Sequence, residues 1–318
     1  LGGRLGGDLL GVPILRHHED VAVDDGLIDI EGAIVEGEQV GVEMVENVHD
    51  VTVQWSINGE GLYFSNHYEG SRSSGHSKGV RIARNNSIWP KRITLHHNLI
   101  TTSAARNPLL RDGENLDIVN NVIYNFGGGE QGGNPQSLNL IKNLFIPGPK
   151  TNTSVAYQPS TGGSVSTLFE SAVFEQGNAA EGTMPIRSGP ASVYTATRFS
   201  PYSLSSEQTP QEVYNAIVQN VGAARPVRDS DDRRIISNLA NRSSVTPQGT
   251  SDFVSGVNYG IVWHTLASGT PYPDSDSDGM ADSWEQQNFS ALSRGGASSS
   301  GSDFDSDGYT DLEEFLNL

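Results

Sequence analysis

Four segments of this chain share one pattern: VTVQWSI from Val51, ITLHHNLI from Ile93, LDIVNNVIYN from Leu116 and LNLIKNLFI from Leu138. Apolar residues alternate through each, as in a strand with one buried face. Aligning Asn98, Asn121 and Asn143 gives a period of roughly 22 residues, the range in which supersecondary units stack into a solenoid. The earlier step, from Ser56 to Asn98, covers about two such periods, so one coil is expected to be irregular. A strand, a turn and a return at this period predict an all-β chain, a right-handed single-stranded parallel β-helix with Val, Ile and Leu stacked inside. The repeated asparagine fits, because its amide can bond both the local turn and the next coil. A β-sandwich would alternate similarly, but hairpin signals between these strands are scarce.

The rest of the chain reads as attachments. Residues 151 to 208 are rich in Ser, Thr, Gly and Pro and predict long loops along the outside of the helix. A short helix is expected near 209 to 223, capped by Thr209 with Pro210 in its first turn and Val213, Ile217 and Val221 on one face. DDRRIISNLAN offers another. The predicted organisation is a β-helix domain over residues 1 to 270 and a small acidic segment over 271 to 318.

A net charge of −18 argues against nucleic acid as a partner, since counterion release needs a basic face. The charge is unevenly placed, however. Between His67 and Arg111 stand Arg72, Lys78, Arg81, Arg84, Lys91, Arg92, Arg106 and Arg111, with Glu69 the only acid. That segment is a candidate polyanion site. From Asp274 onward the balance reverses, Arg294 being the only base. With no cysteine, disulfides, thiolate nucleophiles and cysteine zinc sites are excluded. No apolar run approaches the roughly 20 residues of a membrane helix. No signal peptide is visible at the start, so an export signal is expected upstream of Leu1.

DSDSDGMADSWE from Asp274 and DFDSDGYTDLEE from Asp303 both fit the twelve-residue loop of EF-hand proteins. In the first copy the ligand positions are Asp274, Asp276, Asp278, Asp282 and Glu285, with Met280 contributing a backbone carbonyl. In the second they are Asp303, Asp305, Asp307, Asp311 and Glu314, with Tyr309 in the carbonyl position. Gly279 and Gly308 take the sharp turn. Hard oxygen ligands converging in this way predict Ca2+ in a structural role.

From Ile93 the run ITLHHNLITTSAARNPLLRDGENLDIVNN holds a strand ending in HHN, then R-x-P-x-x-R, then a strand ending in NN. This resembles the core of the pectate lyases, polysaccharide lyase family 1. The resemblance covers about half the chain and implies a secreted, calcium-dependent lyase acting as a monomer on polygalacturonate or another acidic plant or algal polysaccharide. It implies Arg106 as the catalytic base at C5, and Lys78 and Arg111 as carboxylate-binding residues. Asp25, Asp29 and Glu38 become candidates for a catalytic calcium, although the family's W-I-D-H strand is absent among them. Free arginine deprotonates only near pH 12.5 to 13.8, so an alkaline optimum is expected. His96 and His97 would face opposite sides of a strand and are not chosen for catalysis. The alternative function is an inactive β-helix that binds acidic polysaccharide or serves as a surface module. A polygalacturonase would need paired carboxylates that the basic segment lacks, and Glu60 reads as a coil-edge contact.

Overall fold

The computed structural model describes residues 28–31, 34–35, 40–45, 48–60, 78–83, 89–128, 132–161, 167–199, 207–224, 228–244, 271–292, 302–306 and 310–316. The chain divides into two compact units, Leu1–His264 and Thr265–Leu318.

The first unit is a parallel β-helix. Its coils run β1 (Ile28–Glu31), β2 (Ile34–Val35) and β3 (Val40–Val45), then β4 (His49–Gln54), β5 (Ile57–Gly59) and β6 (Lys78–Ala83). The third has β7 (Lys91–His96), β8 (Leu99–Thr101) and β9 (Leu109–Arg111), and the fourth β10 (Glu114–Val119), β11 (Val122–Tyr124) and β12 (Gly132–Gly133). The fifth has β13 (Leu138–Ile141), β14 (Leu144–Ile146) and β15 (Gln158–Pro159), followed by β16 (Val173–Gln176), β17 (Ala179–Ala180) and β18 (Tyr194–Thr195). Strands stack in the order β1-β4-β7-β10-β13-β16-β18 (sheet A), β2-β5-β8-β11-β14-β17 (sheet B) and β3-β6-β9-β12-β15 (sheet C), and the pairings are parallel.

Register turns the sequence repeat into columns. Val51 pairs with Ile93, Ile93 with Leu116, Leu116 with Leu138 and Leu138 with Val173. This column and the next, Val53, Leu95, Ile118 and Leu140, form the core of the lumen with Ile100, Ile123 and Phe145 from sheet B and Val80, Ile82 and Leu110 from sheet C. Each such side chain contributes roughly 1.5–3 kcal/mol by leaving water.

The turn from sheet A to sheet B is nearly invariant. One residue takes a left-handed conformation in each described turn (Trp55, His97, Asn120, Lys142, then Gly177), and the next is Ser56, Asn98, Asn121, Asn143 or Asn178. The asparagines form a ladder. Nδ2 of Asn98 donates to Oδ1 of Asn121 (3.0 Å), Asn121 to Asn143 (3.0 Å) and Asn143 to Asn178 (2.9 Å). Ser56 starts the row, its N–H donating to Asn98 Oδ1 at 3.0 Å. The long step seen in the sequence is therefore one coil carrying an insertion between β5 and β6.

Outside sheet B lie α1 (Pro210–Asn220) and α2 (Ser230–Asn241). Thr209 and Glu212 form a capping box that starts α1, and Asp229 caps α2. Val213, Ile217, Ile235 and Leu239 cover Ile57, Leu99, Val122, Tyr124 and Ile146, the outward residues of sheet B. A bidentate ion pair joins buried Glu60, just after β5, to half-buried Arg234 of α2 at 2.6 and 2.7 Å, which makes Glu60 a structural contact.

Asp232 of α2 is fully buried, and neither carboxylate oxygen has a hydrogen-bond partner. Burial, then Asp229 and Asp231 against the opposing Arg228, pushes its pKa up to about 6. The folded protein thus holds this proton more tightly than the unfolded chain does. The associated stability is present below the ordinary Asp range and is lost as pH rises through about 6. The cost at neutral pH is about 3 kcal/mol. Thermal melts of Asp232→Asn should show Tm raised by roughly 3 °C or more at pH 8 and nearly unchanged at pH 4. An equal effect at both values would refute this assignment.

Candidate functional site

Sheets A and B have little free outward surface among the described residues. Helices cover sheet B, and the outward row of sheet A (Thr52, Thr94, Asp117 and Asn139) is buried. The cations gather on sheet C. Lys78 opens β6 and bridges Ala105, next to Arg106, while Arg111 ends β9 opposite Ala83. All three side chains are half-buried. The structure therefore places Lys78 and Arg111 on neighbouring strands of one sheet, with Arg106 in the corner that leads into β9.

The corner carrying Arg106 is tightly enclosed. N–H of Gly79 donates to the Ala105 carbonyl at 2.9 Å and that of Val80 to the Arg106 carbonyl at 2.7 Å. A Cβ on Gly79 would stand 2.6 Å from the Arg106 oxygen and 2.8 Å from Asn107 Oδ1. In the next coil, a Cβ on Gly127 would stand 1.9 Å from the Ala104 oxygen. Neither approach leaves room for any side chain. Fully buried Asn107 donates from Nδ2 to Ser103 O at 3.0 Å and to Gly127 O at 3.3 Å. Coils on both sides thus fix the backbone on which Arg106 sits.

The acids chosen from the sequence are not gathered here. Asp29 lies in β1 of sheet A, paired with Thr52, on a different sheet from the cations. Asp25 and Glu38 lie outside the described residues. The acid that register brings to sheet C is Glu43 of β3, beside Arg81 of β6. From the sequence Arg81 was named only as one of the cations of the basic segment and Glu43 not at all, although strand alternation could have given the face of Arg81: Val80 and Ile82 fill the lumen, so Arg81 between them faces outward.

His96 and His97 lie at the sheet A turn. His97 has φ +53°, which breaks strand alternation, and the two Nδ1 atoms meet at 2.9 Å instead of facing apart. His97 stacks on Trp55, with ring centroids 4.6 Å apart, and its Nε2 lies 3.1 Å from Gln208 Oε1. Burial first, then His97, pulls His96 down to about 3; burial also lowers His97 against the opposing Gln208 hydrogen bond. The pair is neutral packing and lies apart from the cations of sheet C.

The second unit contains α3 (Asp282–Phe289) and α4 (Asp311–Leu316). Just before α3, carboxylate oxygens of Asp274, Asp276 and Asp278 lie within 4.8 Å of one another. Both oxygens of Asp276 and both of Glu285 are enclosed without a hydrogen-bond partner, and Glu285 is fully buried. Burial and then Asp276, Asp278, Asp282 and Asp274 push the Glu285 carboxyl up. Buried like charges without donors fit a bound hard cation. Asp282 is occupied differently, accepting from Ser275 N–H at 2.7 Å and Ser275 Oγ at 2.8 Å. Asp311 repeats the first bond, accepting from Phe304 N–H at 2.8 Å. Met280 is buried, its N–H donating to Asp278 Oδ1 at 2.9 Å. Asp303 accepts from Ser306 N–H at 2.6 Å, Asp305 is exposed and Glu314 is half-buried. Asp307 and Tyr309 lie outside the described residues.

No family model matches the chain. Curated relatives include a "Probable pectate lyase C" of Aspergillus fumigatus, 30% identical over 251 residues, and one of Aspergillus terreus, 28% identical over 246 residues. Each alignment covers 71% of this chain and 53% of the relative, so the chain spans about half the length of the curated relatives it matches. A solved pectate lyase from a Bacillus species, in complex with trigalacturonate, superposes with a TM-score of 0.38 at 16% identity, over 61% of this chain and 65% of that one. No helix among the described residues is long and apolar enough to cross a membrane. The chain is thus a parallel β-helix, similar in sequence to fungal probable pectate lyases.

Proposed function

We propose that this chain is a secreted, monomeric lyase that cleaves polygalacturonate or a related polyuronate by β-elimination. The observation that supports the reading is the position of Lys78 on sheet C opposite Ala105, the neighbour of Arg106, with Arg111 further along the same sheet, in a chain whose curated relatives are probable pectate lyases. Arg106 in its neutral form takes the C5 proton. The C5–H electron pair becomes the C4–C5 double bond, and the C4–O bond breaks, its electron pair leaving on the glycosidic oxygen of the departing chain, which takes a proton from solvent water. Lys78 and Arg111 hold uronate carboxylates, and the cation on the reacting sugar's carboxylate stabilises the enolate-like charge that develops. A calcium ion at this face would supply further neutralisation of that charge. Asp25, Asp29 and Glu38 remain the candidate ligands from sequence, but Asp29 stands on sheet A, so no step is assigned to the ion.

That displacement favours a second reading, a β-helix that binds acidic polysaccharide without cleaving it. In either case the tail is a calcium module. Asp274, Asp276, Asp278 and Glu285, with the Met280 carbonyl, hold one ion, and Asp303, Asp305, Asp307, Glu314 and the Tyr309 carbonyl hold a second. Asp282 and Asp311 brace the loops beside these ligands.

Ultraviolet absorbance of unsaturated product should rise with polygalacturonate at alkaline pH in calcium and stop in chelator. Arg106→Ala should slow it by about 10²–10⁴-fold, the usual worth of a general base. Absence of product from a folded wild type would favour the binding module. Gly79→Ala should displace the Arg106 corner and lower kcat by roughly 10–100-fold with KM nearly kept; a wild-type kcat would show that the corner yields easily. Trp284 lies 5.1 Å from Phe289 and 5.5 Å from Phe315 between ring centroids, so its fluorescence should report calcium at about 10⁻⁴–10⁻³ M. Glu285→Gln should weaken that response at least tenfold, and an unchanged titration would remove Glu285 from the ligands.

A further inference from the structure

Four positions on the outward side of sheet C form a small quadrilateral. Arg81 pairs with Leu109 across β6 and β9, and Ala83 pairs with Arg111. Val80, Ile82 and Leu110 fill the lumen, so Arg81, Ala83, Leu109 and Arg111 point the other way. The arginines occupy diagonal corners, half-buried, while Leu109 and Ala83 are fully buried. A strand spacing of about 4.8 Å and a rise of about 3.3 Å per residue put their Cα atoms roughly 8 Å apart. The chain's own backbone closes on Gly79 and Gly132, and Leu109 and Ala83 are enclosed, so a ligand on this face would meet the arginine side chains and not the strand backbone.

We infer that Arg81 is a further carboxylate-binding residue of this face, taking a uronate next to the one held at Arg111. It thereby sets a preference for unesterified over methyl-esterified uronan. The inference rests on the proposed polyuronate function and adds a specificity determinant to it. A guanidinium matches a carboxylate with two parallel N–H···O bonds, and methyl esterification removes the charge on which that match depends. Two such forks on diagonal corners select a polymer with closely spaced carboxylates, whereas a single cation accepts an isolated one. Arg81 stands between β3 and β9, which offers it a competing role in the strand pairing alone, and the test must separate the two.

The full chain and Arg81→Gln are compared on polygalacturonate and on highly methyl-esterified pectin, with Arg81→Lys as the conservative variant. The expected result is a KM on polygalacturonate raised about tenfold, equivalent to about 1.4 kcal/mol, and a smaller effect on the esterified polymer. Arg81→Lys should recover part of the difference. Equal losses on both polymers, or a lowered Tm with unchanged preference, would assign Arg81 to the strand pair and overturn the inference. If the wild type forms no unsaturated product, the lyase reading fails by itself. Arg81 is then read by electrophoresis through gels containing either polymer. Retardation by polygalacturonate that Arg81→Gln selectively loses supports the inference, and equal retardation of the two proteins, or none, overturns it.

Discussion

The side-chain amides of Asn98, Asn121 and Asn143 are almost fully enclosed, and each spends its polar atoms on adjacent coils. Asn121 shows the arrangement. Its Oδ1 accepts from the N–H and Nδ2 of Asn98, and its Nδ2 donates to Leu95 O at 2.8 Å and to Asn143 Oδ1 at 3.0 Å. A one-residue slip of any coil would strand these groups in the dark interior, at about 1–3 kcal/mol for each one left unsatisfied, and would turn the lumen residues outward. Register is therefore fixed at the turn between sheets A and B. The faces that Lys78, Arg81 and Arg111 present follow from it.

Length varies elsewhere. Ser56 and Asn98 stand on adjacent rungs although 42 residues separate them, and Asn143 and Asn178 do so across 35, against 22 between Asn121 and Asn143. The first insertion lies between β5 and β6, where the chain passes from sheet B to sheet C. The second lies between β14 and β16, around the short β15 of sheet C. Added chain thus borders the sheet that carries the cations and leaves the ladder untouched. Such a division lets loops differ while the scaffold stays rigid, the usual relation between a binding face and its support.

The period and the asparagines were legible because stacking demands both: a lumen needs alternating apolar residues, and a buried turn needs an amide. The long step from Ser56 was legible as an irregular coil, but not the place of its added chain between β5 and β6, because alternation marks strands and says nothing of what joins them. The histidine pair was misread for a related reason. Alternation assumes extended backbone, and His97 has left that region. Lys78, Arg106 and Arg111 were singled out through a motif, whereas the arrangement that holds Arg106 depends on glycines whose contacts are 20 or more residues away in sequence. Asp29 shows the opposite limit, since similarity in a short segment says nothing of which sheet its strand joins.

A chain with net charge −18 would repel a polyanion if charge acted as a sum. Screening prevents this, because the Debye length in physiological salt is about 8 Å and a ligand on sheet C responds to charges within about that distance. Among the described strands of that sheet, Glu43 is the one acid, against Lys78, Arg81 and Arg111 on the strands and Arg106 at their edge. In the tail the carboxylates of Asp274, Asp276 and Asp278 converge, an arrangement whose repulsion a bound cation would lower. One solenoid thus has no need of an overall basic composition to receive an acidic polymer. It needs its cations on adjacent coils in register, and the asparagine ladder keeps them there.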